Sequence, residues 1–199
     1  MQLYHYNSLL YLEKREPIMR KKVLLLHGWG GSNYPHWQSV LAAELAKNYN
    51  TVSFFKFSNF NEPHLEVWKR ELKAHLQDFK PDIVICHSLA NTLWFHLCNE
   101  TSLTEVEKLY LVAPPSLNSS IQELREFFPL ITPENLYAKE TLLICSNNDP
   151  YMREEEAYKL QEELQIPIKI LKNAGHINSE SGFGKWEWML KRIEQDLAN

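Results

Sequence analysis

Residues 82–93 read DIVICHSLANTL, an apolar run that ends on one serine, Ser88, and passes into a stretch with helical character. Serine is a common helix N-cap, so the residue type alone implies no chemistry. It becomes a nucleophile only where a histidine can take its proton and a carboxylate can hold that histidine, with backbone N–H groups aimed at the oxyanion that forms. Three other stretches carry residues of those types: HGWGGSN at 27–33, SNNDPY at 146–151 and KNAGHIN at 172–178.

Whether they can meet depends on the elements that carry them. Short apolar runs recur at 21–27 (KKVLLLH), 51–57 (TVSFFKF), 82–87 (DIVICH), 108–113 (KLYLVA), 141–146 (TLLICS) and 166–171 (IPIKIL). Most are continuous rather than alternating, as strands covered on both faces are. Between them lie helical periods: Trp37, Val40, Leu41 and Leu45; Leu65, Trp68, Leu72 and Leu76; and, at the C-terminus, Phe183, Trp186, Leu190, Ile193 and Leu197. The alternation predicts a single α/β domain built on a doubly wound, six-stranded parallel sheet. Ligands in such sheets bind beyond the carboxyl ends of the strands, where the strand order reverses. With strand one flanked by strands two and three, that place is the meeting of HGWGGSN with HSLAN.

This frame sorts the candidates. Of the four aspartates, Asp78 and Asp82 fall at the amino end of strand three and Asp196 in the terminal helix, which leaves Asp149, directly after strand five. Among the histidines, His5 is in the N-terminal tail, His36, His75 and His96 fall in helical stretches, and His64 precedes a helix running away from the site. His87 adjoins Ser88 and is expected to point to the other side of the sheet. His27 is assigned to ordering its own loop. His176, in a glycine-flanked loop after strand six, can swing back over Ser88. Leu89, at the start of the helix, and Trp29, in the glycine-rich loop, are the expected oxyanion amides. Gly28 and Gly30 also begin a G-x-G-x-x-G, but position 33 is Asn and no P-loop lysine follows, so a phosphate-binding loop is disfavoured. Tyr151 is expected at the rim as a substrate-binding residue, Phe183 and Trp186 as core, and the acidic run at 153–164 as a solvated helix face.

Composition sets the outer bounds. The chain has 199 residues, 44% of them apolar, enough for one sizeable core. Its net charge of −4 and the absence of any basic block longer than the RKK at 20–22 argue against a nucleic-acid partner. Cys86, Cys98 and Cys145 are not spaced as pairs and suit a reducing, cytoplasmic compartment. No run approaches the roughly 18 apolar residues of a membrane span, and the first twenty residues lack the layout of a signal peptide. Met19, just ahead of RKKVLLL, marks residues 1–18 as a dispensable N-terminal extension to a domain of residues 19–199. No metal or cofactor is called for, and no protein partner is indicated.

The order Ser88, Asp149, His176, with an HG-x-G loop after the first strand, resembles the α/β-hydrolase superfamily, whose nucleophile elbow is G-x-S-x-G. HGWGGS, HSLA, SNNDPY and GHINSESGFGKW, in that order from about Lys21 to the C-terminal helix, are similar to the small serine hydrolases related to retinoblastoma-binding protein 9. Cys86 and Ala90 stand where the elbow pattern has glycines, and the L-x-C-x-E motif is missing, so pocket-protein binding is not implied. The resemblance implies a minimal sheet lacking the first two strands of larger relatives. The proline-rich segment at 114–140 would then be a short, stiff cap over an open site.

The expectation is a cofactor-free serine hydrolase. Its substrate would be a small carboxylic ester, or an amide as in a peptide-like molecule, cleaved through an acyl-enzyme. A non-catalytic protein-binding module on the same fold, and a flavodoxin-like nucleotide binder, are the alternatives.

Overall fold

The computed structural model describes residues 21–48 and 50–198; the segment expected to be a dispensable extension, 1–18, lies outside them. Six strands form one sheet: β1 (Lys22–Leu26), β2 (Thr51–Phe55), β3 (Ile83–His87), β4 (Val106–Val112), β5 (Ala138–Ser146) and β6 (Ile168–Leu171). Their spatial order is β2-β1-β3-β4-β5-β6, every pair parallel. The helices are α1 (Trp37–Lys47), α2 (Leu65–Phe79), α3 (Leu89–Glu100), α4 (Glu154–Leu164) and α5 (Glu187–Ala198). The chain winds outward one way from β1 to β2, then returns past β1 to β3 and onward, which puts the switch point between β1 and β3.

Alternate residues of each central strand feed opposite cores, and this is why the strands read as unbroken apolar runs. Val23, Leu25, Ile83, Ile85, Val112 and Ile144 pack with Trp37, Leu41 and Leu45 of α1 and Met189 and Ile193 of α5. Leu24, Leu26, Val84, Cys86, Leu111 and Leu143 face the other way, onto α2, α3 and α4 through Trp68, Leu72, Leu93, Trp94 and Leu160. Burying such side chains contributes about 1.5–3 kcal/mol each, which fixes the register of the central strands and so the height at which their ends emerge.

One helix begins later than its pattern predicts. Phe183 and Trp186 precede α5 instead of opening it, because the Phe183 carbonyl accepts from the Trp37 backbone N–H (3.1 Å) rather than from a helical amide. Both side chains still pack on the α1–α5 core, Trp186 edge-on to Trp37. The segment expected to cap the site carries one 3₁₀ helix, Gln122–Phe127, and is anchored by buried Leu124, Phe127, Phe128 and Leu136. Cys86, Cys98 and Cys145 are free thiols, and burial pushes the ionisation of all three upward, that of Cys98 to about 12. None is suited to act as a nucleophile. Among the described residues, no helix is long and apolar enough to cross a membrane.

Candidate active site

Ser88 follows the last residue of β3 and precedes the first of α3, with φ 53° and ψ −126°. A non-glycine residue is held at such angles only by its surroundings, at a cost of about 1–3 kcal/mol. Here its N–H donates to the Val112 carbonyl (3.0 Å), and its carbonyl accepts from the Asn91 backbone N–H (3.0 Å). The Asn91 side chain, fully buried, adds donations to the Ser88 carbonyl (2.8 Å) and the Val112 carbonyl (2.9 Å). The turn is tight enough to lift the hydroxyl clear of the backbone, and the fully buried Cys86 and Ala90 fit where the superfamily pattern has glycines.

His176 Nε2 lies 2.8 Å from Ser88 Oγ, and its Nδ1 lies 3.0 and 2.9 Å from the two carboxylate oxygens of Asp149. The backbone N–H of Tyr151 donates to Asp149 Oδ1 (2.9 Å), while the half-exposed Tyr151 ring stands edge-on to the imidazole, 4.6 Å between centroids. The three residues picked out by position thus form one relay of hydrogen bonds, with Tyr151 at the lip of the cleft that contains it.

Much of what holds this relay was not read from the sequence. The SNND run does more than carry Asp149: Asn147 Oδ1, Ser146 Oγ and Asn148 Oδ1 accept from the backbone N–H groups of Asn173 (2.7 Å), Ala174 (3.0 Å) and Gly175 (2.8 Å). The histidine loop is therefore pinned to the aspartate loop amide by amide. Ser181 Oγ accepts from the His176 N–H (3.1 Å), so close that a Cβ on Gly175, at φ 52°, would sit 2.3 Å from that oxygen. The available signal was a polar run between a strand and a helix in which only the aspartate had been assigned work.

The loop after β1 completes the site. A Cβ on Gly28 would lie 2.7 Å from Ser88 Cβ and 3.0 Å from the Leu89 nitrogen, so glycine is what lets this loop reach the elbow. His27 donates from Nδ1 to the Gly28 carbonyl (2.7 Å) and accepts at Nε2 from Phe57 N–H (3.1 Å). The Trp29 indole donates to the Asn61 carbonyl (2.8 Å) and Gly30 N–H to the Phe60 carbonyl (2.9 Å). Buried Gln38 links the Leu26 carbonyl (3.0 Å) to the Ser32 hydroxyl (2.8 Å). With these ties made, the backbone amides of Trp29 and Leu89 donate to no group among the described residues. The cleft over Ser88 encloses about 300 Å³ and is walled by Trp29, Ile121, Leu124 and Tyr151. Among the described residues, no three His, Cys, Asp or Glu side chains are grouped to hold a metal.

Behind the relay, His36 and His87 are buried against Trp37 and against each other. Burial pushes the pKa of His36 down to about 4 and that of His87 well below its usual 6.5; burial lowers His27 as well. A histidine whose folded pKa is depressed adds stability that is complete above about pH 6.5 and is lost as the pH falls towards the folded value, because the unfolded chain then binds more protons. The urea midpoint is expected to fall between pH 7.5 and pH 5, and less steeply in His36→Asn. An equal slope in wild type and variant would remove His36 from that account.

A strained serine after β3, a carboxylate after β5 and a histidine after β6, on a doubly wound parallel sheet, together describe an α/β-hydrolase. The chain belongs to the serine hydrolase family, whose model matches residues 23–195. The structure is similar to the ydeN gene product of B. subtilis, with a TM-score of 0.79 at 19% identity over 90% of this chain and 100% of that one. It is also similar to a ydeN-like hydrolase assigned in Pectobacterium atrosepticum, with a TM-score of 0.73 at 25% identity over 90% and 91% of the two chains. A Pyrococcus furiosus esterase shares the fold at a TM-score of 0.60 and 18% identity, over 90% of this chain and 82% of the esterase. No curated protein sequence matches the chain.

Proposed function

We propose that the protein hydrolyses small carboxylic esters through an acyl-enzyme on Ser88. The observation that carries this reading is the continuous relay from Asp149 through His176 to a serine held at φ 53°. Ser88 Oγ attacks the acyl carbon while His176 Nε2 takes its proton. Negative charge gathers on the former carbonyl oxygen, where the amides of Trp29 and Leu89 receive it. The imidazolium, held by Asp149, gives its proton to the departing alkoxide, and water repeats the sequence to free the acid. No metal or cofactor enters.

Esters are favoured over long peptide substrates because the cleft over Ser88 is small, about 300 Å³. The motifs from HGWGGS to GHINSESGFGKW further support kinship with the small hydrolases related to retinoblastoma-binding protein 9. Three unpaired thiols support a cytoplasmic setting.

The deciding experiment is reaction with a fluorophosphonate probe, followed by mass spectrometry of the modified peptide. One label on Ser88, absent from Ser88→Ala, is the expected result. Failure of folded wild-type protein to react, or a label elsewhere, overturns the assignment and favours a binding module on a hydrolase fold.

A further inference from the structure

The cleft holds two imidazoles that the relay does not use. His36 caps the amino end of α1, its Nδ1 accepting from the Gln38 backbone N–H (3.2 Å). A ring that accepts at Nδ1 and is neutral carries its proton on Nε2, and burial keeps this ring neutral to about pH 4. His87 is committed in the opposite sense: its Nε2 lies 3.1 Å from the His176 carbonyl, which can only accept, so Nε2 donates and Nδ1 of the neutral ring is left with its lone pair.

Each ring therefore has one nitrogen spoken for and one without a partner among the described residues. Among the described residues, the side-chain polar atoms sealed from solvent and unpartnered are Asn91 Oδ1 and Thr92 Oγ1, neither of them an imidazole nitrogen. The spare donor of His36 and the spare acceptor of His87 are thus not sealed from solvent, and both residues line the cleft together with Ser88. The rings meet edge to face with centroids 4.9 Å apart, and His87 stands 5.2 Å from the His176 ring. The two rings with their complementary spare nitrogens thus adjoin in one cleft beside the reacting serine.

We propose that His36 and His87 form a subsite for a hydroxyl group carried by the substrate, His36 donating to its oxygen and His87 accepting its proton. The inference rests on the ester-hydrolase reading and narrows it to hydroxylated esters. A single oxygen that both accepts and donates is what this pair satisfies. A carboxylate finds only one donor and no positive charge, an ammonium finds only one acceptor, and a methyl group would leave both nitrogens desolvated and unpaired. The lining of the cleft is mixed: Trp29, Ile121 and Leu124 are apolar, and Asn33, Asn178 and Glu180 are polar.

The test compares kcat/KM within isosteric pairs that exchange a methyl for a hydroxyl. On the acyl side these are p-nitrophenyl butyrate and p-nitrophenyl 3-hydroxypropanoate; on the alcohol side, propyl acetate and 2-hydroxyethyl acetate. The expected result is a preference for the hydroxylated member of about 10- to 100-fold in one series, after correction for the rates with hydroxide. That ratio should collapse in His36→Ser, which keeps a helix cap while withdrawing the ring, and in His87→Phe. Both rates come from one preparation, so a partly folded variant leaves the ratio intact, and the wild-type preference stands as evidence by itself. Equal rates in both series, or a preference that both variants retain, overturn the subsite; a water molecule held between the rings would give that outcome. If wild-type protein hydrolyses no ester, the ester reading falls and takes the subsite with it, a result distinct from ready hydrolysis without preference.

Discussion

The double variant Ser88→Ala/His176→Ala is expected to hydrolyse a chromogenic ester no more slowly than either single variant, each of them about 10⁶-fold below wild type in kcat. The reason lies in the 2.8 Å hydrogen bond between the two side chains. Without the imidazole, the Ser88 hydroxyl keeps its proton and attacks poorly; without the hydroxyl, the imidazole has no nucleophile to activate and at best assists a stray water. Removing the second partner from a pair that acts as one unit costs almost nothing more. What survives should be the modest catalysis of the proposed oxyanion amides and of binding, about 10³–10⁴ over water, which both single variants and the double variant share. Steady-state kinetics on four proteins settles this. Losses that multiply in the double variant would show that Ser88 and His176 act independently, and a His176→Ala protein within tenfold of wild type would show that another group is the base.

The parts of this site that could be read from the sequence are those whose position follows from the sheet. Parallel strands buried on both faces leave continuous apolar runs, so the ends of β1, β3, β5 and β6 could be located, and with them the loops holding Trp29, Ser88, Asp149 and His176. Asp149 was left after Asp82 and Asp196 were set aside by position. In the structure Asp82 accepts from the backbone N–H of Lys22 at the start of β1 (2.7 Å), and Asp196 is buried against the hydroxyl of Tyr110, which pairs with Ile85 of β3, so neither lies at the carboxyl ends of the strands. Residues that act by satisfying backbone groups distant in sequence left no comparable signal. Gln38 looks like a surface position on α1, and is buried only because the Leu26 carbonyl and the Ser32 hydroxyl come to it. Asn91 and Asn148 are ordinary polar residues until the chain brings them carbonyls and amides to hold. His36 was set aside as a helix residue, yet a helix cap at the switch point faces the cleft. The start of α5 was misplaced for a related reason, since the periodicity of Phe183 and Trp186 reports burial on the α1–α5 core and says nothing of where their backbone hydrogen bonds go.

Asp149→Asn should lower kcat by about 10⁴ while leaving the fold in place, and the backbone determines why. Asp149 Oδ1 accepts from the Tyr151 N–H (2.9 Å), a demand unchanged by the substitution. The asparagine must therefore turn its carbonyl oxygen to that amide, which directs its NH₂ at His176 Nδ1. An imidazole facing a donor at Nδ1 settles with its proton on Nε2, where it can no longer accept from Ser88. The relay keeps its shape and loses its direction. KM should change little, because the Asp149 side chain is only 2% exposed and does not line the cleft over Ser88, and fluorophosphonate labelling should slow in parallel with kcat. Asp149→Ala makes a less informative comparison: it also removes the acceptor of the Tyr151 N–H in a partly buried site, which costs stability of at most about 1–3 kcal/mol. A loss of stability without a matching loss of kcat in Asp149→Asn, or activity within tenfold of wild type, would mean that the carboxylate serves to pack the loop and that His176 finds its tautomer unaided.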